Sequence, residues 1–207
     1  MKKAMENRAF NFEIRAENNE KNGDHIVGRP IVYNSKTDLG YFDEIIEAGA
    51  LDKANLKDVR FLVNHNTDMI PLARSRNNNE NSTMQLEVDK DGMSIRVNLD
   101  TENNSEARNL YSAIKRGDIT GMSFMFTIDD EEWENLESDH PTRNIRKIGQ
   151  VFEVSADTFP AYEATEISAR DKEALDSAKA TLDSVKLLDS NKRELELEKA
   201  KNRNKNF

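Results

Sequence analysis

The chain has no cysteine. That removes disulfides, thiolate catalysis and cysteine metal ligation. It has only three histidines, His25, His65 and His140. No two of them stand at metal-ligand spacing, so a zinc site is not expected, and the sequence calls for no cofactor. It also lacks a glycine-rich phosphate loop. Positive charge is not in excess: the formal net charge is −9 and the pI near 5.0. A nucleic-acid partner held on a basic surface is thereby disfavoured. No apolar run approaches the ~18 residues that span a membrane. The first residues, Met1 to Arg8, lack the apolar stretch of a signal peptide. The expectation is an intracellular protein without nucleic-acid or membrane partners.

The 207 residues are 36% hydrophobic and 33% charged. This is polar for a globular chain, and fits one domain of ordinary size plus an appendage. Alternating apolar and polar residues predict strands over 10–16 and 25–33, with Gly28 and Pro30 marking a bulge or edge. A short strand is expected from Phe42 to Ile46, and a small helix opening at Gly49. Another strand, from Val59 to Asn64, leads to His65. Residues 83–89 and 92–99 alternate on either side of an Asp-Gly turn, a hairpin signal. Ala107, Leu110, Tyr111 and Ile114 predict a helix over 104–116, with Ser105 as its cap and Gly117 as its stop. Strands follow over 119–128 and 145–155, separated by a polar loop with the only tryptophan, Trp133. The Asn-rich stretch 77–81 reads as a loop.

After Pro160 the chain has neither glycine nor proline. Leu175, Ala178, Leu182 and Val185 lie on one helical face. Residues 171–207 hold nine basic and eight acidic residues, a net +1, so the rest of the chain carries −10 of the total −9. These changes divide the chain into a body, 1–170, and a charged helical tail, 171–207.

Chemistry points first to a separated pair. His65 follows a Phe-Leu-Val run, and Ser123 lies in Gly121-Met122-Ser123-Phe124. On paired strands, a hydroxyl and an imidazole are the minimum of an activated serine nucleophile. Gly121 and Met125 share the face of Ser123, while Met122, Phe124 and Phe126 point the other way. This is not the hydrolase elbow, because Met125 replaces the second glycine. Glu153 lies on the polar face of its strand and is placed to orient the imidazole, with Asp157 as its competitor. His25 reads as an ordinary strand residue, and His140 as part of a polar loop.

Five motifs in order carry a resemblance. They are Gly40 to Ile46, Asn64-His65, Gly121 to Phe124, Glu153-Val154-Ser155, and Pro160-Ala161-Tyr162 with Thr165 after it. Over about residues 10–168 the chain resembles the prohead protease family of tailed bacteriophages. The resemblance implies a β-rich α+β fold, a compact assemblin-like β-barrel with surrounding helices, here followed by the C-terminal helical tail. It implies a serine endopeptidase that processes capsid or scaffold proteins, and itself, during procapsid maturation. Ser123 would be the nucleophile, His65 the base and Glu153 the orienting group, with His140 as the fallback third member. The implied partners are the major capsid protein or its scaffold extension and further copies of the chain. The implied place is the host cytoplasm, inside the assembling procapsid. Departures from the family pattern are Asn66 after the histidine, Met125 in place of glycine, and Gly28-Arg29-Pro30 in the second strand. The rival reading is a non-enzymatic scaffold or capsid-assembly protein, supported by the charged tail.

Overall fold

A computed structural model of the chain describes residues 5–10, 14–19, 23–158 and 165–204, without the side chains of 9, 10, 165–170 and 197–204. Pro160-Ala161-Tyr162, the Thr165 side chain and the last residues of the tail therefore lie outside what is described. The strands are β1 (Met5–Phe10), β2 (Ile14–Asn19), β3 (Gly23–Val32), β4 (Lys36–Asp38), β5 (Asp43–Ile46) and β6 (Asp58–Val63). They continue as β7 (Ala73–Arg76), β8 (Met84–Asp89), β9 (Gly92–Asn98), β10 (Gly121–Glu134) and β11 (Thr142–Asp157). The helices are α1 (Ser105–Arg116) and α2 (Thr165–Asn204).

The β-rich α+β expectation holds, but the strands form two open sheets and not a closed barrel. One has seven strands and runs β1-β10-β11-β5-β4, with β6 also on β11 and β7 on β6. The other is β2-β3-β9-β8. A single apolar core links the sheets and α1. Met122, Phe124 and Phe126 give it one wholly buried face of β10, as their period-two spacing requires.

β11 organises the larger sheet. Along one edge it pairs antiparallel with β10 over most of its length. Along the other its partner changes: residues 142–145 run parallel to β5, and residues 153–156 run parallel to β6. The second stretch is where the candidate residues gather.

Local chemistry explains the elements. In the β8–β9 hairpin Gly92 has φ +137°, and a β-carbon there would stand 2.0 Å from the Ile31 carbonyl oxygen. Only glycine allows this approach. Asp89 takes two hydrogen bonds from Arg29, at 2.7 and 2.6 Å, which hold its carboxyl well below the usual range. The ladder between β3 and β9 shifts register between Gly28 and Ile31, as the Gly28/Pro30 pattern predicts. In α1 the expected face is buried: Ala107, Leu110, Tyr111 and Ile114. Gly117 ends the helix in a left-handed conformation. The cap is Asn104, not Ser105, because the Asn104 Oδ1 accepts from the backbone N–H groups of Glu106 and Ala107.

Three other expectations are corrected. The strand over 10–16 is two elements, β1 and β2, in different sheets. Alternation reports which side chains are buried, not which strand pairs with which. The chain around Gly49 forms successive turns, with no helix. The polar stretch after 128 continues β10 to Glu134, and β11 begins at Thr142. Cross-strand ion pairs of Glu131 with Arg143 and Glu132 with Arg146 hold these polar arms together.

Near its start, α2 places Asp171 (1% exposed) beside Arg8 at 3.1 Å and buries Leu175. Further along, Val185, Leu187, Leu188 and Leu195 are at least half exposed. Among the described residues no helix is long and apolar enough to cross a membrane.

Candidate active site

β6 ends in a tight turn that carries the histidine. Asn64 and His65 both have positive φ, +50° and +54°, and the Val63 carbonyl accepts from the Asn66 N–H at 3.1 Å. Two left-handed central residues define a primed turn, and Asn and His tolerate that region better than most side chains. Each flanking asparagine has a task. Asn64 donates its N–H to the Ala156 carbonyl, and its Oδ1 accepts from the Thr158 N–H at 2.9 Å, so the turn is tied to β11 and to the residue that follows it. The Asn66 Oδ1 accepts from the Asp68 N–H. An aspartate would accept the same bond, so Asn66 in place of Asp leaves the turn intact.

The His65 side chain is 17% exposed, and its Nδ1 lies 2.5 Å from Glu153 Oε1. An ionised carboxylate only accepts, so Nδ1 carries the proton of this bond. In the neutral ring Nε2 then presents a lone pair. That Nε2 is buried and has no hydrogen-bond partner among the described residues. Glu153 is itself buried, and its second oxygen, Oε2, accepts from the Ser155 hydroxyl at 2.5 Å. The Ser155 Oγ in turn accepts from the His65 backbone N–H at 3.1 Å.

Ser123 sits directly opposite Ser155 in the β10–β11 ladder. Residues opposite each other on antiparallel strands project to the same face. Ser155 and Glu153, two apart on β11, share that face as well. Ser123 is 0% exposed, and its Oγ has no hydrogen-bond partner among the described residues. The face therefore holds a hydroxyl and an imidazole nitrogen that are both buried and both unpaired. No hydrogen bond joins them in this structure.

The strands of Ser123 and His65 are not paired with each other, contrary to expectation. β11 lies between β10 and β6. Two strand spacings are about 9.5 Å. The imidazole leans over this gap because it projects from the turn beyond β6 and anchors to Glu153 on the middle strand.

The two other histidines fall elsewhere. His140 Nε2 lies 3.2 Å from Asp43 and 3.6 Å from Asp38, on the β4–β5 edge. Asp38, Asp43 and His140 offer ligand atoms within 4.8 Å of one another. Asp43 is already bound by Lys36 Nζ at 2.7 Å, a bond that lowers its carboxyl's proton affinity. His25 is buried in the smaller sheet, between the Gly23 carbonyl and the Arg96 guanidinium. Asp157 lies one step beyond Ser155 on the same face, opposite Gly121. Ser155 was named in a sequence motif without a role. Its signal was its place two residues from Glu153 in a strand.

Residues 10–180 match the model of the family described as caudovirus prohead serine protease. No curated protein matches the chain. Among solved structures the chain is similar to the capsid assembly protease gp21 of bacteriophage T4, at 14% identity and a TM-score of 0.40. That likeness covers 75% of this chain and 99% of the other.

Proposed function

This chain belongs to the caudovirus prohead serine protease family, and from that premise we propose that it is a serine endopeptidase that cuts capsid or scaffold proteins, and itself, as the procapsid matures. The observation that carries the proposal is the pairing of half-buried His65 with buried Glu153 on the face that holds the unpaired Ser123 hydroxyl.

In this reading substrate entry brings Ser123 Oγ and His65 Nε2 together. Oγ attacks the scissile carbonyl carbon as Nε2 takes its proton, giving a tetrahedral oxyanion. His65 then passes that proton to the leaving amine, the C–N bond breaks, and an acyl-Ser123 remains. Water activated by the same nitrogen hydrolyses the ester and restores the serine. Glu153 fixes the tautomer and stabilises the imidazolium while it exists. Met125, beside Ser123 on that face, narrows the substrate path and bears on sequence preference.

The substrates are the major capsid protein or its scaffold extension and other copies of the chain, met inside the assembling procapsid in the host cytoplasm. The tail, 171–207, recruits the body to the shell; the half-exposed Val185, Leu187 and Leu188 support that role. A purely scaffolding protein has no use for a histidine–carboxylate pair on the same face as a buried, unpaired hydroxyl.

The test has two arms. Co-expression with the major capsid protein, followed by mass spectrometry, should give fragments that vanish with Ser123→Ala. A fluorophosphonate probe should label Ser123 in the wild-type chain and nothing in the variant. Unchanged fragments, or labelling at another residue, would refute the assignment.

A further inference from the structure

We propose that Ser155 is a positioning residue of this site: its hydroxyl fixes both the carboxylate that holds His65 and the backbone from which His65 projects. The inference rests on the reading of Ser123 as nucleophile and His65 as base, and adds a residue to it.

A serine hydroxyl has one proton to give and lone pairs to receive. In Ser155 both capacities are committed. The proton goes to Glu153 Oε2 at 2.5 Å, and a lone pair takes the His65 N–H at 3.1 Å. The bonds close a ring: His65 N–H to Ser155, Ser155 to Glu153, and Glu153 back to His65 through Nδ1. Every polar group of that ring is buried or half-buried.

Two freedoms are removed by this closure. The terminal torsion of a glutamate is broad. With Oε2 tied to Ser155, the carboxylate plane is set and Oε1 is left facing the imidazole. The second freedom is that of the His65 backbone. At φ +54° it occupies a region costly for a residue with a β-carbon. The bond to Ser155 gives its N–H an acceptor in that conformation and holds the turn against β11. His65 is therefore held at two points, ring and main chain, by one strand.

The same ring distinguishes the two serines that face each other in the β10–β11 ladder. The Ser155 proton is held by a carboxylate, and its oxygen is occupied by an amide. The Ser123 oxygen has no partner. Only the latter is available to attack, so Ser155 serves the geometry and not the bond-making step.

The experiment compares full-length Ser155→Ala with wild type in fluorophosphonate labelling, resolved into kinact and KI. A loosened base should lower kinact by about 10- to 100-fold, the scale of a misplacement near 1 Å, and leave KI unchanged. In an Ser123→Ala background, the far-downfield proton resonance of His65 Nδ1–H should be lost when Ser155 is also replaced. Ser155→Thr and Ser155→Val have the same shape and differ in the hydroxyl, so this pair decides the matter if the alanine variant does not fold. Thr should restore labelling and resonance, and Val should restore neither. Wild-type labelling and an intact resonance in Ser155→Ala, or equal behaviour of Thr and Val, would overturn the proposal. Failure of the wild-type chain to label at Ser123 would instead sink the nucleophile assignment; the resonance arm would still test the ring.

Discussion

Ser123→Ala should abolish cleavage and at the same time stabilise the fold. The reasoning begins with the hydroxyl. Ser123 is 0% exposed, and its Oγ has no hydrogen-bond partner among the described residues. Burying a hydroxyl without a partner costs about 1–3 kcal/mol by protein mutational data. Alanine keeps the β-carbon and removes only that oxygen. The void left is smaller than a methyl group, and its cost offsets part of the gain. The net expectation is a stabilisation of about 1 kcal/mol. For a chain of this size that raises Tm by about 2–4 °C.

Ser155 is the internal control, because the two serines face each other across one ladder. Its hydroxyl makes two hydrogen bonds, and its loss strands a buried carboxylate oxygen and a backbone N–H. Ser155→Ala should therefore lower stability by about 1–3 kcal/mol. Calorimetry and denaturant titration on full-length variants, with intact mass verified before each scan to exclude self-cleavage, give the comparison. A drop of Tm by more than about 2 °C in Ser123→Ala would refute the reasoning. It would mean that Oγ is hydrogen-bonded in the folded protein and is not held ready for a substrate.

Three further outcomes are expected. His65→Ala should be nearly as inactive in labelling as Ser123→Ala, the double variant little worse, and Glu153→Gln less impaired than either; additive losses would argue against one shared mechanism. Burial, with repulsion from Glu44 and Glu6, raises the Asp171 carboxyl to about 6, against the attraction of Arg8 and Arg143. The folded state then binds more protons than the unfolded one between about pH 4 and 6, so stability from this group falls as pH rises through that window. Hydrogen-exchange protection in the first turns of α2, taken relative to the intrinsic rate at each pH, should be greater at pH 5 than at pH 7.5, with the difference reduced in Asp171→Asn; an undiminished difference would place the titration elsewhere. A chain ending at Arg170 should fold, but melt below one ending at Ala180, because it loses Leu175 burial worth about 1.5–3 kcal/mol. Both should be poorly incorporated into procapsids, and normal incorporation of either would remove the recruiting role from the tail.

Much of the fold was legible because burial writes a period into the sequence. Met84, Leu86, Met93, Ile95 and Val97 alternate and are buried, and the hairpin turn falls at Gly92, where no other residue fits. The buried face of α1 follows the same logic at the helical period. What the period does not carry is partnership. Phe10 and Ile14 lie in one alternating run, yet β1 adds to β10 and β2 adds to β3. The polar arms of the β10–β11 hairpin were invisible for a different reason. Ion pairs and the edge contact of Trp133 with Phe42 at 4.8 Å stabilise them, and a charged stretch reads as loop unless the cross-strand register is known.

The site divides along the same line. His65, Ser123 and Glu153 were named from residue type and strand position, and the structure joins His65 to Glu153 through a bond that neither position implies alone. The sequence places Ser123 and His65 on strands but says nothing of a strand between them. That intervening strand is what lets one element supply the Glu153 carboxylate bound to His65, the Ser155 hydroxyl that holds it, and the backbone opposite Ser123. Because residues 153–156 are hydrogen-bonded on both sides, by β10 and by β6, a shift of either neighbour by one residue would turn its side chains to the other face. The alignment of Ser123, Glu153 and His65 is thus set by sheet register, and the apolar face of Met122, Phe124 and Phe126 that locks the register of β10 is also what keeps Ser123 opposite Ser155.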